Sequence, residues 1–152
     1  MFSPSPEQVE YAEMLARRAA GDLYACRALI DDSEVEDSII GFHAQQTVEK
    51  ALKVALVLAG VELPHTHDLE SLAELIGTSG TGLPTEIADM EWLTPSAADF
   101  RYEEPAALDR PAALAAAESA SGWATSLLTA AKRPQPYPRR KTPKQAPPAP
   151  NG

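Results

Sequence analysis

The chain of 152 residues has one cysteine, Cys26, so no internal disulfide can stabilise it. The position of Cys26 on an apolar helical stripe marks it as a small core filler. No apolar run approaches the roughly 20 residues of a membrane span. The longest, Val54 to Ala59, falls far short, and no apolar segment follows a basic start. A soluble cytoplasmic protein is expected. Strand patterns, internal repeats and heptad runs are missing too, which leaves an all-α chain. Nucleophilic chemistry lacks its usual motifs, since no G-x-S-x-G occurs. The Gly77–Gly82 loop has neither the lysine nor the flanking strand of a phosphate loop.

Metal chemistry is equally thin. His65-x-His67 offers two imidazoles, but only one more histidine and one cysteine exist, and H-E-x-x-H is absent. A zinc site needs three or four ligands in compact geometry, so neither metal nor cofactor is expected. Acids are missing from residues 132–152, which hold six of the thirteen lysines and arginines. Residues 1–131 therefore set seven bases against all twenty-two acids, a body of −15 with a tail of +6. Such a body repels phosphate backbones, and any nucleic-acid contact must be local or through the tail.

What is present reads as helices. Ser5-Pro6-Glu7-Gln8 forms a capping box, followed by the stripe Ala12, Leu15, Ala19, Leu23, Cys26 and Ile30 to about residue 31. Ser33 and Glu36 offer a second box before a helix that runs to about Ala59, with Gly60 as terminator. Its second half is apolar nearly all round, which places it centrally. Thr66 or Asp68 can cap a third helix carrying Leu69, Leu72, Ala73 and Ile76, ended by Gly77. A fourth is expected over Pro84 to Leu93, with Ile87, Ala88 and Trp92 inward. Thr94-Pro95 then restarts a short helical stretch reaching Phe100-Arg101-Tyr102. Asp109 and Pro111 open the last helix, whose stripe is Ala113, Ala116, Ala120, Trp123, Leu127 and Ala131. The expectation is an up-and-down bundle of about five helices over 1–131. Seven prolines between Pro134 and Pro150 give 132–152 the composition of a disordered, polyproline-like tail.

The second helix carries the chemistry. His43, Gln46, Lys50 and Lys53 fall on one stripe beside Glu49, while Ile40, Ala44, Val48, Ala51, Ala55 and Leu58 form the apolar stripe. This polar seam could hold a phosphate with its base or ribose, or meet an identical seam across a two-fold axis. It could also be a solvated face of ordinary i,i+4 pairs, Gln45–Glu49 and Gln46–Lys50. His67-Asp68-Leu69 reads as a cap with a histidine packed back on helix 2. Arg101 could pair with Glu49 or Asp68, or meet a phosphate.

The string Phe42-His43-Ala44-Gln45-Gln46-Thr47-Val48-Glu49-Lys50-Ala51-Leu52-Lys53, with the later His67-Asp68-Leu69 and the pair Arg101-Tyr102, closely resembles the HEPN family. The likeness covers roughly residues 7–131. It implies a helical bundle, commonly dimeric, often encoded beside a minimal nucleotidyltransferase and similar to the helical domain of kanamycin nucleotidyltransferase. Nucleotide binding is proposed for the group, and many members are metal-independent ribonucleases acting as toxins or defence effectors. Those ribonucleases pair an arginine with a histidine four to six residues later. Here Arg101 is followed by Tyr102-Glu103-Glu104-Pro105-Ala106-Ala107, and Arg17, Arg18, Arg27 and Arg110 lack such a histidine as well. The resemblance therefore implies a non-catalytic module. It binds a nucleotide, RNA or a nucleotidyltransferase partner through His43, Gln46, Glu49, Lys50, Lys53, His67 and Asp68, with Arg101 and Tyr102 at the rim. A ribonuclease with a non-standard site, such as His43 or His67 with Arg101, is the alternative. A purely structural dimerisation module is a third.

Overall fold

A computed structural model describes residues 2–93, 107–134 and 147–150. The expected helical restart at Thr94, the Arg101-Tyr102 pair and most of the basic tail lie outside the described residues. Five α-helices and one 3-10 turn make up the described regular structure, without strands among the described residues.

Helix α1 spans Pro6–Leu29 and starts as its sequence dictates. Ser5 Oγ accepts from the Gln8 amide at 3.2 Å, and Gln8 Oε1 accepts from the Ser5 amide at 2.8 Å. Ala12, Leu15, Ala19, Leu23 and Cys26 form its buried face. Helix α2, Asp37–Leu58, is central: it packs on α1, on α3 and on the last helix, and Val54 through Val57 are buried on every side. The expected Ser33/Glu36 box is not made. Glu36 caps without a side-chain bond, and the helix start is held from elsewhere. Gly60 ends it as expected, at φ 75, with the Val61 amide reaching back to the Leu56 carbonyl at 3.0 Å. A side chain there would run into the Phe2 ring.

Helix α3, Leu69–Thr78, is capped by Asp68 rather than Thr66. It runs past Gly77, and the left-handed residue that turns the chain is Gly80, at φ 79. The expected fourth helix is only the single turn α4, Thr85–Ala88, then a 3-10 turn over Glu91–Leu93. Asp89, at φ −102 and ψ 28, leaves the helical region and shifts the register. As a result Ile87, Met90 and Leu93 face the core, whereas Ala88 and Trp92 are exposed.

Helix α5, Arg110–Ala131, is capped by Asp109, whose carboxylate accepts from the Ala112 amide at 3.0 Å. Ala113, Ala116, Ala117, Ala120 and Ala124 are buried, so the helix lies close against α2 and α1, with Trp123 and Leu127 packed at the edge. Arg110 does what no local cap does. Its Nε donates to Asp37 Oδ1 at 2.7 Å, and its Nη1 donates to the carbonyls of Ile30 at 3.1 Å and Asp32 at 3.0 Å. Nη2 serves the Val35 carbonyl. One planar guanidinium thus satisfies three carbonyls of the α1–α2 loop, and Asp37 Oδ2 accepts from the Leu108 amide at 3.0 Å. The Arg110 bond, the Leu108 amide and the guanidinium charge hold the Asp37 carboxyl below its usual range.

Candidate docking face

The polar stripe of α2 is half-buried, and it is more organised than a row of i,i+4 pairs. Glu49 is 3% exposed, a carboxylate inside the bundle. Burying such a group is costly unless every lone pair is met, and here they are met. Oε1 accepts from Lys53 Nζ at 2.7 Å and lies 3.0 Å from His67 Nδ1. Oε2 accepts from Gln45 at 3.0 Å and from Gln46 at 3.1 Å. Gln45, also buried, uses the same amide nitrogen to hold the His67 carbonyl at 3.1 Å, tying α2 to the loop before α3. Burial pushes the Glu49 carboxyl up, but the bonds from Lys53, Gln45 and His67 and the Lys53 charge outweigh it and leave it below its ordinary value.

A second cluster flanks the other edge of the stripe. Asp22 of α1 holds His43 Nδ1 at 3.0 Å through one oxygen and the Lys50 ammonium through the other. Each cluster therefore has a carboxylate, a lysine that neutralises it and a histidine bound through Nδ1. Thr47 adds an internal bond, donating to the His43 carbonyl at 2.8 Å.

The expected site thus divides. His43, Gln46, Glu49, Lys50, Lys53 and His67 come together on one face. Asp68 does not join them; it caps α3 through the Ser71 amide at 3.2 Å. Arg101 and Tyr102, expected at the rim, lie outside the described residues. The Gln46–Lys50 pair is not formed, because Gln46 turns to Glu49 and Gln45 and Lys50 turns to Asp22. Asp22 and Gln45 were not among the expected site residues. Asp22 does sit beside the core stripe of α1, next to Leu23, where an acid needs a partner. Among the described residues no group of three or more His, Cys, Asp or Glu could hold a metal.

Around the clusters the face turns apolar. Phe42 is 55% exposed and stands edge-on to the His43 ring, centroids 5.5 Å apart. Ile39, one turn earlier on α2, is exposed, and Tyr11 shares the α1 stripe of Arg18 and Asp22. Two clefts lie apart from the clusters, the second of them reaching the face only at Tyr11. One of about 450 Å³ opens between Phe2 and the C-terminal ends of α2, α3 and α5. Another, of about 320 Å³, lies on α1 between Glu7 and Arg17. No residue of the two clusters lines either cleft.

The fold is an all-α bundle whose half-buried polar seam pairs each lysine with a carboxylate and is bordered by exposed Phe42 and Tyr11. Residues 12–133 match the HEPN domain family, and the chain belongs to it. Over 53 residues it is 38% identical to a candidate toxin of Methanocaldococcus jannaschii, a stretch covering 35% of this chain and 34% of that protein. The chain therefore matches about a third of this relative's length. No solved structure matches the chain. Among the described residues no helix is long and apolar enough to cross a membrane.

Proposed function

We propose that this chain is a non-catalytic HEPN module of a toxin–antitoxin-like system that works by docking. Its α1–α2 face takes a protein partner, in the first place a second copy of itself. The observation that carries this is the pre-neutralised seam. Lys50 and Lys53 are each already paired with a carboxylate, so neither lysine of the seam is free for a phosphate. No residue of the two clusters lines either of the two clefts, and a mononucleotide needs walls to bury it. Acid, base and amide on one stripe match the same stripe run antiparallel on a two-fold. With Gln46 on the axis, Phe42 falls opposite the second copy's lysine at position 50, a cation–π contact, and Ile39 opposite the aliphatic stem at position 53. A nucleotidyltransferase, the partner that the family resemblance implies, is the second occupant of this reading, and a nucleotide would enter only where a second protein closes the seam.

The test is sedimentation equilibrium of the full chain beside Phe42→Glu. Phe42 is largely exposed, so the variant keeps the fold. The wild type is expected as a dimer at micromolar concentration and the variant as a monomer. A wild type that stays monomeric into the millimolar range overturns self-docking. The ribonuclease alternative is tested with single-stranded RNA in EDTA. Cleavage that disappears in a His43→Ala/His67→Ala protein would replace the docking reading with an enzymatic one.

A further inference from the structure

The loop before α3 carries two exposed histidines two residues apart with different surroundings. His65 has no bonded partner among the described residues. The His67 side chain is 84% exposed, yet its Nδ1 lies 3.0 Å from the Glu49 carboxylate, whose side chain is only 4% exposed. A surface ring needs no such anchor for solubility. The loop is already tied to α2 by the Gln45 bond to the His67 carbonyl, so backbone placement does not need the imidazole.

The anchor fixes the chemistry of the ring. Glu49 is paired with Lys53 and kept below its ordinary acidity range, so it is the ionised, accepting partner. Nδ1 must then carry the hydrogen, and Nε2, on the opposite side of the ring, presents its lone pair to solvent. A carboxylate bound to Nδ1–H holds an imidazole in one tautomer and stabilises positive charge as the other nitrogen reacts. Here that arrangement stands at the edge of a docking face.

We infer that His67 is a covalent phosphoryl-acceptor site, with Glu49 as its positioning residue, and that modification there controls docking. The donor is an acyl phosphate or phosphoramidate. The Nε2 lone pair attacks phosphorus and an N–P bond forms. The bond from phosphorus to the leaving group breaks, and acetate or ammonia departs with the electron pair. The Nδ1 proton stays in its bond to Glu49 while the ring carries positive charge, and is then shared with or released to water. The inference rests on the docking reading, because its consequence is electrostatic. A seam that is neutral in its two clusters gains the negative charge of a phosphoryl group on both sides of a two-fold contact, and like charges face each other.

The experiment uses the full chain with potassium phosphoramidate near neutral pH, followed by phosphopeptide mass spectrometry at early times. His67 is expected to be modified several-fold faster than His65 in the same molecule, a ratio that needs no variant. In Glu49→Gln, with its helical circular dichroism checked, the His67 rate is expected to fall to that of His65. Equal rates in the wild type overturn the acceptor site, and so does a His67 advantage that survives in folded Glu49→Gln. Sedimentation of the modified protein then separates the two claims. Loss of dimer supports the control. A dimer unchanged by modification at His67 overturns the control and leaves the docking face standing, whereas failure of docking itself appears in the unmodified protein.

Discussion

At the scale of single residues, Glu49 is the most demanding group among the described residues, because it is a carboxylate inside the bundle with four side chains bound to it. Replacing it with alanine leaves Gln45, Gln46 and Lys53 facing a hole, and the expected loss is about 2–4 kcal/mol in urea unfolding. Its folded carboxyl lies below the ordinary value of 4.5, so the stability it contributes is fully present above that value. That contribution is lost as pH falls through the lowered folded value, when the carboxyl takes up a proton in the folded state too. A stability profile from neutral to acid pH should therefore drop less steeply in Glu49→Gln than in the wild type. An identical acid limb would mean that Glu49 is not tied down as described. The need for a partner was legible in the string of Gln, Glu and Lys on α2. The Gln45 pairing and a histidine packed back on α2 were legible as well; the Asp22 partner of His43 and Lys50 was not, because it reaches the seam from α1 and helical spacing speaks only of one helix at a time.

Among the elements, the caps were the most legible and the joints the least. Ser5, Gln8, Asp68, Asp109 and Gly60 act where their local chemistry placed them, since a cap is settled within a few residues of chain. The Ser33/Glu36 box failed because the helix starts after Glu36, which leaves Ser33 outside it; the α1–α2 loop is held instead by the Arg110 guanidinium, which donates to its carbonyls from the start of α5. The fourth helix failed for a related reason: one non-helical residue, Asp89, let Met90 and Leu93 reach the core in place of Ala88 and Trp92. Arg110→Lys tests the joint. A lysine ammonium has three donors and no fork, so it cannot span three carbonyls and the Asp37 carboxylate. The expected cost is about 2 kcal/mol, seen as a lower urea midpoint with an unchanged slope. A variant as stable as the wild type would make the clasp incidental to the fold.

For the whole molecule, the uneven distribution of charge decides how it meets nucleic acid. A body of −15 repels a phosphate backbone beyond contact range, while residues 132–152 concentrate +6 without an acid. The α2 seam does not reverse this, because its lysines are already committed to Asp22 and Glu49. Whatever affinity the chain has for RNA should therefore reside in the tail. Deleting residues 133–152 removes five of the six tail bases, Arg133, Arg139, Arg140, Lys141 and Lys144. Full-length protein is expected to retain single-stranded RNA weakly, with log affinity against log salt sloping no more steeply than about −4. The truncated protein should not retain RNA at any salt concentration, yet should sediment in the same oligomeric state as the full chain. Equal retention by both proteins would place the contact on the body, against its net charge, and would require cations on the seam to leave their carboxylates when RNA binds. The same pair of proteins thus tests from outside whether the seam's charges stay paired: a body that ignores RNA and still pairs with itself is what a closed, self-neutralised docking face predicts.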